Sequence, residues 1–181
     1  MNIKYPITST FLDYPDNESL AVILYIMGCD NNCINCHNPE FQDRNYNIGT
    51  KNESYYYIAY KIIKNCSLFK TNKIVISGGD PLYKENIEDT KKLIKELNFY
   101  TPYCYDSLSF DVCLYTGKDI EYIKKLDLPK VKFIKCGKYI EELKQKVIKN
   151  DEYMQFASMN QELYDSDYNL LTKNSRYYYY K

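Results

Sequence analysis

The sequence predicts an α/β fold: an open, partial (β/α) barrel built on a mainly parallel sheet. Short apolar runs of strand length alternate along the chain with segments whose apolar residues recur at helical spacing. This alternation is typical of β/α units joined by right-handed crossovers. Only four or five such units fit into 181 residues, fewer than the eight that close a TIM barrel, so the barrel is expected to stay open.

The predicted strands are continuous apolar runs that end at turn residues. Residues 20–27 form the longest run, which is rich in β-branched side chains and stops at Gly28. The polar, asparagine-rich segment 29–48 that follows is expected to be a loop. Further strands are expected at residues 73–76, 110–115, 131–134 and 154–157.

The predicted helices lie between these strands. In residues 53–65, Ile58, Ile62 and Ile63 occur at helical spacing. The pattern gives one domain over residues 1–165, followed by a loosely attached tail at 166–181. Three more helices are expected at residues 86–97, 118–126 and 138–148.

Composition argues against two broad classes of function. The chain has 24 Lys plus Arg and 24 Asp plus Glu, so its net charge is zero. A general nucleic-acid binder or a binder of anionic membranes would need an excess of positive charge. No run approaches the ~20 apolar residues of a membrane span, and residues 1–10 lack the apolar segment of a signal peptide. We expect no nucleic-acid partner, no membrane association and a cytoplasmic location.

Three of the seven cysteines form a tight cluster. Their spacing is Cys29-x3-Cys33-x2-Cys36, directly after the first predicted strand. In a chain without a signal peptide, such thiols indicate a metal or redox site rather than disulfides. A structural zinc site needs four ligands, and His37, the one histidine of the chain, adjoins Cys36 and is poorly placed to be the fourth. Three thiolates on a [4Fe-4S] cluster would instead leave one iron open for a substrate or cofactor.

Other unusual features of the sequence also follow predicted strands. Ligands of open α/β sheets bind beyond the carboxyl ends of the strands. The sequence therefore predicts a single active site at that edge. The features are the cysteine loop, the turn at residues 77–81, the pair Thr116-Gly117, and Gly137.

The cysteine motif after a first strand resembles the signature of radical S-adenosylmethionine enzymes. In that family, S-adenosylmethionine chelates the open iron of the cluster. A second segment, Gly78-Gly79-Asp80-Pro81, is similar to the glycine-rich segment that follows the second strand in the same family. There the backbone and an acidic side chain hold the methionyl ammonium group.

The resemblance narrows to the activating enzymes of glycyl-radical proteins. Residues 13–15 before the first strand and residues 36–40 after it look like the corresponding segments of those enzymes. Residues 111–117, 133–139 and 157–161 follow in the order found in the small activases of anaerobic ribonucleotide reductase. The resemblance extends over residues 5–165 and implies a shortened radical S-adenosylmethionine core.

The resemblance also implies cofactors, a reaction and partners. The cofactors would be a [4Fe-4S] cluster and S-adenosyl-L-methionine, whose reductive cleavage yields a 5′-deoxyadenosyl radical. That radical would take a hydrogen atom from a glycine Cα of the anaerobic ribonucleoside-triphosphate reductase. A flavodoxin-like or ferredoxin-like donor would supply the electron.

Site residues are implied as well. Cys29, Cys33 and Cys36 would be the catalytic ligands of the cluster. Asn35 and His37, which flank the third ligand, would line the adenosine side of the cofactor. The remaining cofactor contacts would come from Ser77, Gly78, Gly79 and Asp80 at the methionine end and from Thr116 at the ribose.

Other functions stay open at this point. A radical S-adenosylmethionine enzyme similar to 7-carboxy-7-deazaguanine synthase would act on a small molecule, and an activase could serve a different glycyl-radical enzyme. A zinc or iron–sulfur binding module would not be an enzyme of this kind. A pure electron carrier would need four cysteine ligands, whereas the loop offers three. Three free thiols without a metal are the remaining interpretation of the loop.

Overall fold

The computed structural model describes residues 1–4, 6–16, 20–46, 50–100, 109–146, 148 and 152–179. They form a mixed eight-stranded sheet, a separate two-stranded sheet and three α-helices. The helices are α1 (Tyr55–Phe69), α2 (Ile87–Phe99) and α3 (Ile120–Lys124), and 3-10 turns lie at Pro39–Phe41 and Glu141–Leu143. The strands are β1 (Asn2–Lys4), β2 (Thr8–Thr10), β3 (Ala21–Ile26), β4 (Thr50–Asn52), β5 (Lys73–Gly78), β6 (Asp111–Tyr115), β7 (Phe133–Cys136), β8 (Tyr153–Gln155), β9 (Glu162–Asp165) and β10 (Arg176–Tyr178).

The large sheet is parallel at its centre and antiparallel at its flanks. Its order is β4-β1-β3-β5-β6-β7-β9, with β2 paired to β3. Strands β3, β5, β6 and β7 run parallel to one another. Strands β1, β2, β4 and β9 pair antiparallel. The predicted α/β class and parallel core are confirmed, and the strands of the described residues do not close into a barrel.

The side chains of the central strands alternate between two apolar layers. In β3, Val22, Leu24 and Ile26 join the larger core, while Ala21 and Ile23 join a smaller one on the opposite face. This is the alternation expected of successive residues in a strand. The larger core packs against the helices through side chains that include Ile58, Ile62, Leu93, Leu97 and Ile123.

Seven predicted elements are confirmed, with ends that differ by a few residues. The predicted strand at 20–27 is β3, and the predicted helix at 53–65 is α1, which continues to Phe69. The strand expected at 131–134 lies two residues later, in β7. The remaining confirmed elements are β5, α2, β6 and α3.

Near the carboxyl end of the chain, the predicted helix is wrong, and the predicted strand is present but pairs outside the main sheet. Instead of a helix at 138–148, the described residues there contain a single 3-10 turn. The backbone N–H of Gln145 donates to Ala157 at 3.0 Å, and that of Met159 donates to Leu143 at 2.9 Å. The Gln145 amide and the Leu143 carbonyl therefore bond to a distant segment rather than within a helix. The strand expected at 154–157 is β8, which lies outside the main sheet, where β9 takes the edge position instead.

The tail also differs from the loose attachment expected for residues 166–181. Strand β10 pairs antiparallel with β8. The Ser175 side chain is buried, and its Oγ donates to the carbonyl oxygens of Ser158 at 3.1 Å and Gln161 at 2.8 Å. The tail is therefore held by strand pairing and buried hydrogen bonds. The extent of a single domain over residues 1–165 stays a prediction.

None of the helices in the described ranges is both long and apolar enough to cross a bilayer.

Candidate active site

A cavity of about 510 Å³ lies at the carboxyl ends of the parallel strands. Nine of the ten predicted site residues line it. The tenth, Asp80, is fully buried directly beside Gly79 of the cavity wall. The lining residues from the predicted set are Cys29, Cys33, Asn35, Cys36, His37, Ser77, Gly78, Gly79 and Thr116.

Backbone hydrogen bonds tie the turn after β5 to the turn after β3. The N–H of Gly79 donates to the Ile26 carbonyl at 2.8 Å, and the N–H of Asp80 donates to the Gly28 carbonyl at 2.8 Å. The N–H of Cys29 donates to the Gln42 carbonyl at 3.1 Å, which holds the two arms of the cysteine loop together. The glycine-rich turn and the cysteine loop therefore form one unit.

Two glycines permit this close approach. Gly78 has φ +121°, and a Cβ there would lie 2.4 Å from the carbonyl oxygen of Ile26. A Cβ on Gly79 would lie 2.4 Å from the carbonyl oxygen of Phe41. Because the obstructing atoms belong to the backbone, neither position accepts a side chain without displacing the loop.

The cysteine loop is folded by two asparagines in the left-handed region. Asn32 has φ 49° and Asn35 has φ 54°. Asparagine tolerates this conformation better than most other residues with a side chain, which accounts for asparagine at these two positions. The two turns place three half-buried thiols, those of Cys29, Cys33 and Cys36, on the wall of the same cavity.

The surroundings of the thiols oppose ionisation when no cation is present. Burial raises the pKa of Cys29 to about 11 and also raises the pKa of Cys33. Hydrogen bonds from Asn31 to Cys29 and from the Tyr139 backbone to Cys33 partly offset burial by favouring the thiolate. A bound metal would favour the thiolate much more strongly.

The donor set fits an iron–sulfur cluster better than a single ion. Across the described ranges, no three His, Cys, Asp or Glu side chains are close enough together to hold one metal ion. A [4Fe-4S] cluster instead takes each thiolate on a different iron and so bridges ligands that lie farther apart. Three thiols facing one cavity match a cluster with one iron open to a further ligand.

Four donors surround the Asp80 carboxylate. Oδ1 accepts from the Leu82 backbone at 2.8 Å and from the Thr116 hydroxyl at 2.7 Å. Oδ2 accepts from the Asn31 amide at 2.8 Å and from the Gly117 backbone at 3.1 Å. Both oxygens of this carboxylate thus accept hydrogen bonds from protein groups in this structure. Its direct contact with a ligand ammonium stays a prediction.

Asn35 and His37 are exposed residues of the cavity wall. The pKa of Glu141 is lowered mainly by a hydrogen bond from the Tyr139 hydroxyl and further by one from the Asn35 side chain. Asn35 therefore connects the cysteine loop to the 3-10 turn at Glu141–Leu143.

Sequence reasoning missed two residues of this site, Asn31 and Lys135. Lys135 lines the cavity, and its ammonium lies 5.5 Å from the Tyr115 ring centroid and 5.7 Å from that of Phe156. Burial lowers the pKa of Lys135 to about 8. A lysine directly after the predicted strand at residues 131–134 was the available signal, since a charge is rarely placed beside a buried strand without a role.

The cysteines outside the loop are of a different kind. Cys66, Cys113 and Cys136 are buried in apolar layers, and burial raises the pKa of each thiol. They behave as small core residues. Cys104 lies outside the described residues.

Residues 18–164 match a protein family described as the 4Fe-4S single cluster domain. The chain belongs to this family. The match includes the cysteine loop, the glycine-rich turn and strands β3 to β7. The description of this family names a 4Fe-4S cluster. This is the cluster that the spacing of the three cysteines predicts.

Curated relatives of this 4Fe-4S domain are named as activating proteins. The chain is 29% identical over 136 residues to the anaerobic ribonucleoside-triphosphate reductase-activating protein of Enterobacteria phage T4, covering 74% of this chain and 80% of that protein. It is 25% identical over 138 residues to the protein of the same name from Escherichia coli K12, covering 74% and 83%.

An archaeal relative carries a broader name. It is described as a candidate glycyl-radical enzyme activating enzyme of Methanocaldococcus jannaschii. The identity is 30% over 145 residues, covering 76% of this chain and 56% of that protein. No solved structure matches the chain significantly. Together these relatives confirm the resemblance to radical S-adenosylmethionine activating enzymes, and with it the expectation of an oxidoreductase.

Proposed function

We propose that the chain is a radical S-adenosylmethionine activase that generates a glycyl radical on anaerobic ribonucleotide reductase. One observation carries this proposal: three thiols and the glycine-rich strand end face the same cavity. The family match and the names of the relatives support it.

Cys29, Cys33 and Cys36 would hold the [4Fe-4S] cluster, with S-adenosylmethionine on the open iron. When bound, these groups supply one electron to the sulfonium and a deoxyadenosyl radical that takes a hydrogen atom from a glycine Cα of the partner. The chain's own residues would position these groups. Cys29, Cys33 and Cys36 are half-buried on the cavity wall, so they would hold the cluster against the protein on that side.

Each wall of the cavity comes from a different element of the fold. Ser77, Gly78 and Gly79 at the end of β5 would border the methionine end of the cofactor, with Asp80 fixing that wall from behind. Asn35 and His37 of the cysteine loop would face the adenosine side. Thr116, at the end of β6, would lie near the ribose.

The fold suits a protein substrate. We propose that the parallel strands β3, β5, β6 and β7 form one side of a partial barrel whose open side admits a loop of the partner. Support comes from a sheet that stays open among the described residues. The flavodoxin-like or ferredoxin-like donor and the cytoplasmic location stay predictions.

Anaerobic reconstitution tests this function. We expect the chain to bind iron and sulfide, to give a [4Fe-4S]⁺ electron paramagnetic resonance signal on reduction, and to change that signal when S-adenosylmethionine is added. With an anaerobic ribonucleotide reductase present, a glycyl-radical signal should follow. The Cys33→Ala variant is the matched control, because it removes one proposed ligand, and we expect it to keep the fold since Cys33 is only half-buried.

Other outcomes would point to the alternatives. A cluster that does not respond to S-adenosylmethionine would contradict the proposal and favour an electron-transfer module. Cofactor cleavage without a radical on the reductase would redirect the search to other glycyl-radical enzymes. Turnover of a small molecule without any protein partner would favour an enzyme similar to the deazaguanine synthases.

A further inference from the structure

We propose that Asn31 and Asp80 form a hydrogen-bonded support for Cys29, and that Asn31 sets how readily the cluster is reduced through its bond to the Cys29 sulfur. The inference rests on the proposed function, because it requires a cluster on Cys29. It assigns Asn31 as a positioning residue that acts through the cluster ligand and not on the substrate.

The Asn31 amide lies between two acceptors. Its Nδ2 is 2.8 Å from Asp80 Oδ2 and 3.2 Å from Cys29 Sγ. A primary amide has two N–H donors, so one can serve each acceptor. The backbone N–H of Asn31 also points to the same sulfur, at 3.4 Å. Cys29 therefore receives two N–H donors from one residue.

Neighbouring groups fix the orientation of this amide. A carboxylate and a thiolate both repel an amide oxygen, so the nitrogen must face them. Asp80 cannot turn away, because the Thr116 hydroxyl and the Leu82 and Gly117 backbone N–H groups hold its oxygens. The space for the amide exists because residue 117 is glycine: a Cβ there would lie 2.1 Å from Asn31 Nδ2.

This arrangement has a direct electrostatic consequence. Reduction adds one negative charge to the cluster, part of which resides on the ligand sulfurs. N–H donors stabilise that charge, and hydrogen bonds to the sulfurs are among the factors that set the potential of iron–sulfur clusters. Removing the side-chain donor from Asn31 should therefore make the cluster harder to reduce.

A redox titration of reconstituted protein, followed by electron paramagnetic resonance, tests this inference without measuring activity. In Asn31→Ala we expect the equilibrium constant for reduction to fall about tenfold, which is a shift of 59 mV to more negative potential for one electron. Asp30→Asn is the matched control on the same loop. Asp30 pairs with Lys118 at 2.6 Å, and the loss of its negative charge can only favour reduction.

Gly117→Ala gives an independent test. The new methyl group would displace the Asn31 amide while leaving Asn31 in the chain and leaving the Gly117 backbone N–H on Asp80. We expect its potential to shift in the same direction as that of Asn31→Ala. Two different changes that act on one hydrogen bond should thus have the same effect.

Three outcomes decide the matter. An intact cluster with an unchanged potential in Asn31→Ala would overturn the inference while leaving the proposed function standing. Failure of the unmodified chain to assemble any cluster would overturn the proposed function itself. If Asn31→Ala assembled no cluster, Asn31→Ser would decide, because its hydroxyl keeps one donor for the sulfur. A cluster restored by serine supports the inference, and failure of both variants would show that the residue only folds the loop.

Discussion

Burial separates the described cysteines into two chemical groups. The three loop thiols are half-buried on the cavity wall, whereas Cys66, Cys113 and Cys136 lie in apolar layers. Burial raises the pKa of Cys66 and of Cys136 to about 12. Because burial also raises the pKa of Cys29, to about 11, restricted access more than ionisation protects the buried group.

This difference predicts a pattern of alkylation before cluster assembly. Treating the metal-free native chain with iodoacetamide at pH 8 should modify the three loop cysteines at least about ten times faster than the buried ones. Mass spectrometry of peptides would measure the rates, and unfolded protein is the control in which the difference should vanish. Equal rates for Cys66 and the loop cysteines in the native chain would contradict the burial described here.

At the scale of residues, local motifs were predictable and tertiary contacts were not. Spacing and position after a predicted strand identify two motifs, the cysteine cluster (Cys29, Cys33 and Cys36) and the glycine-rich turn. Asn31 does not, because its role depends on Asp80, which is 49 positions away in the chain. Lys135 was missed for the same reason: its cavity position follows from how β7 lies beside β6.

At the scale of elements, α1 shows how sequence determines a helix and its burial. Ser54 caps its start by accepting a hydrogen bond from the Tyr57 backbone. Lys70 ends it in the left-handed conformation, with φ 51°. Ile58, Ile62 and Cys66 recur on one face and are buried against the sheet.

We expect Ile62→Ala to lower the free energy of unfolding by about 2–5 kcal/mol, because a fully buried side chain would leave a cavity. Urea unfolding followed by circular dichroism would measure the change. Ile63→Ala is the control in the same helix, since Ile63 is only partly buried and should cost less. A smaller loss for Ile62 than for Ile63 would contradict the packing.

Cys66, in α1, makes the free energy of unfolding depend on pH. The folded chain keeps this thiol neutral up to about pH 12, whereas the unfolded chain releases the proton above about pH 9. The stability that this thiol contributes is therefore complete below pH 9 and is lost as pH rises. Between pH 8 and pH 10.5, urea unfolding should show a loss roughly 1–2 kcal/mol larger in the unmodified chain than in Cys66→Ala. Identical losses in both proteins would show that Cys66 ionises normally when folded.

The helix that was predicted wrongly, and the strand whose partner was not foreseen, both bond outside their own segment. The heptad-like pattern of residues 138–148 favours a helix locally, yet Leu143 and Gln145 bond to the segment at residues 157–159. Strand β8 pairs with β10, which follows after 20 intervening residues and could not be recognised as a partner from its composition. Elements whose burial comes from their own periodicity, such as α1 and α2, were predictable.

At the scale of the whole molecule, the last strand stabilises the cavity wall. Strand β10 pairs with β8, and the preceding Ser175 bonds to the carbonyls of Ser158 and Gln161. Phe156, which follows β8, is buried and lines the cavity. The carboxyl-terminal segment thus supports residues of the candidate site.

Deleting residues 174–181 should lower Tm by about 2–4 °C for each kcal/mol of packing lost and should weaken binding of S-adenosylmethionine. Differential scanning calorimetry and equilibrium binding to reconstituted protein would measure both effects. Deleting residues 180–181 alone keeps all of β10 and is the control. Unchanged Tm and binding in the longer deletion would show that β10 does not support the site.

The buried Asp80 carboxylate bears on how the protein matures. Its bonds join Asn31 before it to Thr116 and Gly117 after it, so they connect the loops that follow β3, β5 and β6. The cysteine loop can therefore take its final shape only after these three strands have paired. Iron and sulfide would then reach a cavity whose wall is already folded. Cluster insertion would therefore be the last step of maturation and would not initiate folding.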